Sequence, residues 1–397
     1  MKIGFVGLGH LGKDAAEVIA EHHDVIGYDI RENIDVGVTI SSSLEFAVKD
    51  KDVVFVAVPT PHDPLYDGKE PTSHLPPKDF DYSIAKEVIG QVDNYVNEQT
   101  LIVLISTVLP GTVRREILPL VKNGRFIYNP YLIAQGTVKH DMRNPEMLII
   151  GTNEGEQSSD AMLLLELYKP MLEQEVKRAA IGTYEEAESI KIFYNTFISA
   201  KIALVNMIQD VAHGIGHMNA EVVCDALANS TMRIMSSKYM KPGFGDGGGC
   251  HPRDNIALRS LADRLHLGYD LFDSIMKARE EQAANMAREC LRHGNDVIIL
   301  GKGFKPGIEQ EAGSPSMLVG WFIEKLDGFH RVYYDMAPDP NTPYTYLIHD
   351  NTKEYKFNKG SVVIDPYRKL KPTEDYKVVH YGNTRNSGTK QEQRLVL

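Results

Sequence analysis

The sequence predicts an α/β protein, with a parallel-sheet domain at each end of the chain and an all-helical segment between them. Three observations carry this. Short, wholly apolar runs alternate with helix-like stretches through the N-terminal third, as in βαβ units whose strands are buried on both faces. The same alternation returns after residue 294. Between the two, 183–293 reads as a succession of helices with a glycine-rich loop inside it. At 397 residues the chain is too long for one core, and the expected domains are 1–182, 183–293 and 294–397.

The first element runs from Lys2 to Val6 and enters Gly7-x-Gly9-x-x-Gly12, followed by a helix-like stretch and a second strand ending in Asp29. Strand, glycines, helix and acid in this order are the dinucleotide fingerprint of a Rossmann domain. Gly7 makes the tight turn, Gly9 lets a pyrophosphate approach the helix N-terminus, and Gly12 lets helix pack on strand. Asp29 would accept from the adenosine ribose hydroxyls and repel a 2′-phosphate, which favours NAD over NADP. A strand over 52–58 ends at Pro59, Thr60 and Pro61, and one over 101–106 delivers Ser106 and Thr107 to the same sheet edge. Further strands are expected over 126–130 and 147–151.

One long helix is expected over 183–213, with Glu188, Lys191 and Asn195 on one face. Apolar neighbours Ile190, Ile192, Phe193, Phe197 and Ile198 predict that little of it is exposed, so a lysine there needs a reason. Helices follow over 220–235, 255–265 and 269–293, the kind of assembly that often forms a dimer interface. Within it, Gly243, Gly245, Gly247, Gly248 and Gly249 precede Cys250. Such a run can open successive backbone N–H groups toward an anion, so Cys250 is delivered to a place able to hold a phosphate.

The last third opens on a strand over 296–300, then Gly301 and Gly303, with Ser314-Pro315 as cap and first residue of a helix. Strands over 331–335, 344–348 and 361–365 complete a second nucleotide-binding-like domain. Without a third glycine, 301–305 suits a phosphate-bearing ligand other than a dinucleotide.

Composition excludes other classes. Hydrophobic residues make up 43% and charged residues 24%, with a net charge of -11, which argues against a general nucleic-acid or membrane-surface binder. Cys224, Cys250 and Cys290 lie far apart without Cys-x-x-Cys spacing, so no metal site is expected and a reducing compartment fits. No apolar run reaches bilayer length and the first residues read as a strand rather than a leader, so a cytoplasmic location is expected. The residues from Asn386 on read as a polar tail.

Taken together, the parts resemble the UDP-glucose/GDP-mannose dehydrogenase family over nearly the whole chain. The resemblance rests on the glycine motif, Ser106-Thr107, Lys191 and Asn195, the loop from Gly243 to Cys250 with Asp254, and Gly301 to Lys305 followed by Ser314-Pro315. It implies an NAD-binding domain, a helical dimerisation core and a C-terminal domain for the nucleotide of a sugar. It also implies oxidation of the sugar C6 alcohol to a carboxylate with two NAD per turnover, UDP-glucose being the default substrate.

By the same resemblance Cys250 holds the carbonyl as a thiohemiacetal and then a thioester, as a thiolate attacks and leaves readily. Lys191 and Asn195 would stabilise the oxyanion and contact the sugar, and Asp254 and Thr107 would handle the water and proton. Leu11, Thr60 and Thr107 would line the cofactor beside the three glycines and Asp29. Arg233, Phe244, Gly245, Gly247 and Lys305 would contact substrate.

The chain also departs from the family pattern. Tyr131 and Gln135 stand where the family has two carboxylates, the first of them credited with hydrolysing the thioester, and a phenol is a poor base near pH 7. Ala312 and Gly313 replace an arginine and a glutamate, and 338–359 has no typical counterpart. Oxidation of GDP-mannose or an N-acetylated UDP-sugar, a two-electron β-hydroxyacid-type dehydrogenase, and a non-catalytic nucleotide-sugar-binding dimer are the alternatives.

Overall fold

The computed structural model describes residues 1–382 apart from 33, 62, 67–70, 134–135, 174–178, 216, 237–242 and 244–249, and the backbone alone at 206, 250, 251, 253, 254 and 257. It divides into two compact units, Met1–Ala200 and Lys201–Leu397. Among the described residues, no helix is long and apolar enough to cross a membrane.

The first unit is built on β1 (Lys2–Val6), α1 (His10–Ala20), β2 (Asp24–Tyr28), β3 (Thr39–Ile40), α2 (Leu44–Val48), β4 (Val53–Val56), α3 (Ser83–Tyr95), β5 (Leu101–Leu104), β6 (Arg125–Tyr128), α4 (Val138–Arg143), β7 (Leu148–Thr152), α5 (Ser159–Tyr168) and β8 (Ala179–Thr183). The strands form one sheet in the order β3-β2-β1-β4-β5-β6-β7-β8. It is parallel except where β6 meets β7. The reversal of order at β1 and β4 opens the crevice in which such sheets bind ligands.

The apolar runs are explained by two cores. Val53, Phe55, Leu101 and Val103 face one side of the sheet with Ile3 and Phe5, while Val54, Val56, Ile102 and Leu104 face the other. Side chains alternate along a strand, so a strand covered on both faces must be apolar throughout. β3 and β8 were not read from the sequence. The one is two residues long, and the other carries small residues that mark no strand pattern.

α6 (Tyr184–Ile215) begins in the first unit, and α7 (Ala220–Ala228), α8 (Cys250–Arg264) and α9 (Leu271–Leu291) follow in the second. Three expectations need correction here. α7 stops at Ala228 instead of reaching 235, because Asn229 and Ser230 turn their side chains back onto the Asp225 and Ala226 carbonyls and favour a turn. α8 starts at Cys250 rather than 255: Pro252 lies in the first turn, where a missing N–H costs nothing. Finally, the middle of α6 is not covered, since Phe193, Phe197, Ile198 and Ile202 are all exposed.

The second α/β sheet contains β9 (Val297–Leu300), β10 (Val332–Tyr334), β11 (Thr345–Ile348), β12 (Val362–Ile364) and β13 (Lys377–Val379), in the parallel order β10-β9-β11-β12-β13. α9 and α10 (Pro315–Leu326) cover one face, burying Ala283, Met286, Ala287 and Cys290 against Val297 and Ile299. No helix covers the other face among the described residues. Aromatic rings do, with Tyr346, Phe357 and Tyr376 in edge contacts at 5.2 and 4.9 Å. Phe357 comes from 338–359, the stretch that departs from the family pattern.

Candidate active site

At the carboxyl edge of the first sheet lies a cavity of about 680 Å³, lined by Gly7, Gly9, Leu11, Gly12, Asp29, Arg31, Thr60, Ser106, Thr107, Tyr131 and Lys191 among others. Gly7 turns the chain out of β1 at φ +93°, a left-handed conformation, with a would-be Cβ 2.6 Å from the Ala57 carbonyl. A Cβ on Gly12 would stand 1.9 Å from the Gly7 carbonyl oxygen, so only glycine lets α1 seat this closely. At Gly9 an added Cβ would meet nothing within 4 Å. Gly9 also caps α1 without a side-chain bond, and the first helical bond runs from the Lys13 N–H to its carbonyl. The preceding N–H groups therefore have no intrahelical partner and suit a pyrophosphate. These residues fit NAD, with the glycine turn for the pyrophosphate and the end of β2 for the adenosine ribose.

Asp29 is held more firmly than its spacing reveals. The Leu8 N–H donates to it at 2.7 Å, and Arg31 donates its N–H at 2.9 Å, its Nε at 3.0 Å and its Nη2 at 3.1 Å. Burial works against its charge, and these donors together bring its pKa below the usual carboxylate value. On the far wall, the Thr60 hydroxyl donates to the Thr107 carbonyl at 2.7 Å and Ser106 to the Val58 carbonyl at 2.5 Å, tying the two strand ends together.

α6 brings Glu188 and Lys191 into this unit. Glu188, fully buried, accepts from the Gly111 and Val113 N–H groups at 2.6 Å each, and burial pushes its pKa up to about 7. It braces the turn after Thr107. Three residues on, Lys191 lines the cavity and donates from Nζ to the Tyr131 carbonyl at 2.7 Å. Burial lowers its pKa.

The Tyr131 side chain offers no base. Its hydroxyl lies 2.8 Å from that of Tyr168, which donates to Asn129 Oδ1 at 2.5 Å, while Asn129 Nδ2 donates to the Ile149 carbonyl at 2.7 Å. The Tyr168 proton is committed to Asn129, so Tyr131 is the donor in their bond. Burial raises the Tyr131 pKa further above that of a free phenol. Glu188 does not replace the missing carboxylate either, because its two oxygens face backbone amides.

The remaining sequence-derived candidates are more scattered. Asn195 and Arg233 are exposed, and Cys250 opens α8 with Asp254 one turn later. Phe244, Gly245, Gly247 and Gln135 lie outside the described residues. In the second unit Lys305 lines a separate cavity of about 280 Å³ with Gly301, Gly303, Glu309, Glu311, Asp335 and Lys353. There Gly301 has φ +103°, and its N–H donates to Asp335 at 2.6 Å, repeating the Leu8–Asp29 arrangement.

Comparison with known proteins supplies the family. The NAD-binding-domain model of the UDP-glucose/GDP-mannose dehydrogenase family matches residues 31–172, and its central-domain model matches 185–281. The chain belongs to that family. Family relatives include a GDP-mannose 6-dehydrogenase of Pseudomonas aeruginosa, 28% identical over 89% of this chain and 84% of that protein. A UDP-glucose 6-dehydrogenase of Bacillus subtilis is 25% identical over 77% of this chain and 64% of its own length. The fold matches that of a crystallised GDP-mannose dehydrogenase from Pseudomonas aeruginosa with a TM-score of 0.78, at 22% identity, covering 95% of this chain and 99% of that one. In this family the cofactor is NAD, and the lining of the glycine cavity fits it.

The sequence did not reveal Arg31, Tyr168 or the bracing role of Glu188. Arg31 had a signal, a cation two residues after the fingerprint acid. The other two act through contacts 37 and 77 residues away along the chain.

Proposed function

We propose that the protein oxidises the C6 alcohol of a nucleotide sugar to the carboxylate, passing two hydrides to two NAD in succession. The observation that carries this reading is an ammonium, Lys191, placed in the dinucleotide cavity of a chain that belongs to this family. Held by the glycine turn and the end of β2, NAD would supply the hydride acceptor, while the proton of the alcohol would leave through Thr107, Asp254 and water. The Cys250 thiolate then adds to the aldehyde carbon, and Lys191 with Asn195 stabilises the oxygen that becomes negative. The second hydride leaves a thioester, which water hydrolyses to acid and thiol. Arg233, Phe244, Gly245, Gly247 and Lys305 are the proposed substrate contacts.

GDP-mannose is favoured over the UDP-glucose default by one observation: the Pseudomonas relative that spans 89% of this chain is a GDP-mannose enzyme. The exposed Phe193, Phe197, Ile198, Ile202 and Val205 on α6 favour pairing with a second copy through the central helices, in a cytoplasmic homodimer. Assays of NADH formation with GDP-mannose, UDP-glucose and N-acetylated UDP-sugars test the reading. One of them is expected to support turnover; binding of a nucleotide sugar without NADH would instead favour a non-catalytic dimer. Sedimentation should show a dimer, and a monomer at assay concentration would remove that part of the proposal.

A further inference from the structure

At the end of β2, where the adenosine ribose lies in this fold, the acid that should receive the ribose hydroxyls is already fully occupied. Its two oxygens have about four lone-pair sites. Four donors fill them: the Leu8 N–H, the Arg31 N–H, and the Arg31 Nε and Nη2. The second Nη2 hydrogen goes to the Leu8 carbonyl at 2.9 Å. That leaves both Nη1 hydrogens, which bond to none of the described residues. The guanidinium belongs to the cavity lining, and its side chain is 59% exposed against 9% for that of Asp29.

The charge at this corner is therefore not that of a bare carboxylate. An unpaired Asp29 would repel a 2′-phosphate strongly at contact distance, but the Asp29–Arg31 pair is neutral and carries two donors that no described residue uses. A planar guanidinium with free N–H groups is the side chain best matched to phosphate oxygens. An NAD ribose, by contrast, has to displace Arg31 from Asp29 to reach its acceptors, which a half-exposed surface arginine permits.

We propose that Arg31 is a cofactor-specificity residue that lets this site take NADP as well as NAD, by presenting its Nη1 hydrogens to the 2′-phosphate while it stays paired with Asp29. The inference rests on the glycine cavity being the dinucleotide site. It is tested on the full chain by calorimetric titration and thermal shift with NAD and NADP separately, with no sugar present. The wild-type protein should bind both. Arg31→Ala should weaken NADP by ~10-fold or more, the equivalent of one charge-assisted hydrogen bond, and leave NAD unchanged or tighter. Arg31→Lys, which keeps the charge without the fork, should recover part of the loss. Tight NAD binding with no response to NADP, or equal weakening of both by Arg31→Ala, would overturn the inference while leaving the dinucleotide site intact. Failure of both cofactors to bind would overturn the site and the inference together.

Discussion

Cys250→Ser is expected to reduce net formation of the sugar acid by ~10³-fold or more, because a hydroxyl is a poor substitute for a thiolate as carrier of the aldehyde carbon. A thiol has an ordinary pKa near 8.5 and is brought lower at a helix N-terminus, whereas a serine hydroxyl stays protonated without a base beside it. The serine protein should keep its affinity for NAD, since the Gly7, Gly9 and Gly12 turn belongs to the first unit. Steady-state NADH production, with mass spectrometry of the protein for a sugar adduct, gives the answer. An unchanged rate would mean a two-electron dehydrogenase of the β-hydroxyacid type, which needs no cysteine.

Lys191→Met should lower kcat by ~10²–10³-fold, the usual loss when one preorganised donor to a developing oxyanion is removed. Methionine preserves most of the buried stem, so NAD affinity and thermal stability should change little by comparison. The pH profile separates this role from a structural one. Burial lowers the Lys191 pKa, so its charge is present below that value and is lost as pH rises through it, earlier than for an exposed lysine. The wild-type rate should therefore fall on the alkaline side before the ordinary lysine range near ~10.4 is reached. Loss of that limb in the methionine variant supports the assignment, and a profile of the same shape would contradict it.

Much of the first unit was legible because its physics is periodic. Strands buried on both faces must be apolar throughout, and a glycine between strand and helix has few other uses, so Gly7, Gly9, Gly12 and Asp29 came out of spacing alone. What could not be read depends on partners distant in sequence. Glu188 looks like a companion of Lys191 on a helix face, yet it serves the Gly111 and Val113 amides. Tyr131 reads as a lost carboxylate, and only the fold shows its hydroxyl spent on Tyr168. The exposed apolar face of α6 misled in a different way. Residue type alone cannot say whether an apolar residue is covered by its own chain or awaits another.

The committed hydroxyl of Tyr131 bears on the central claim, since the chain completes both oxidations only if another group admits water to the thioester. The most direct test is the NADH formed per sugar consumed with the sugar limiting. The account predicts two NADH per sugar and a sugar acid as product. One NADH per sugar with free aldehyde in solution would contradict it.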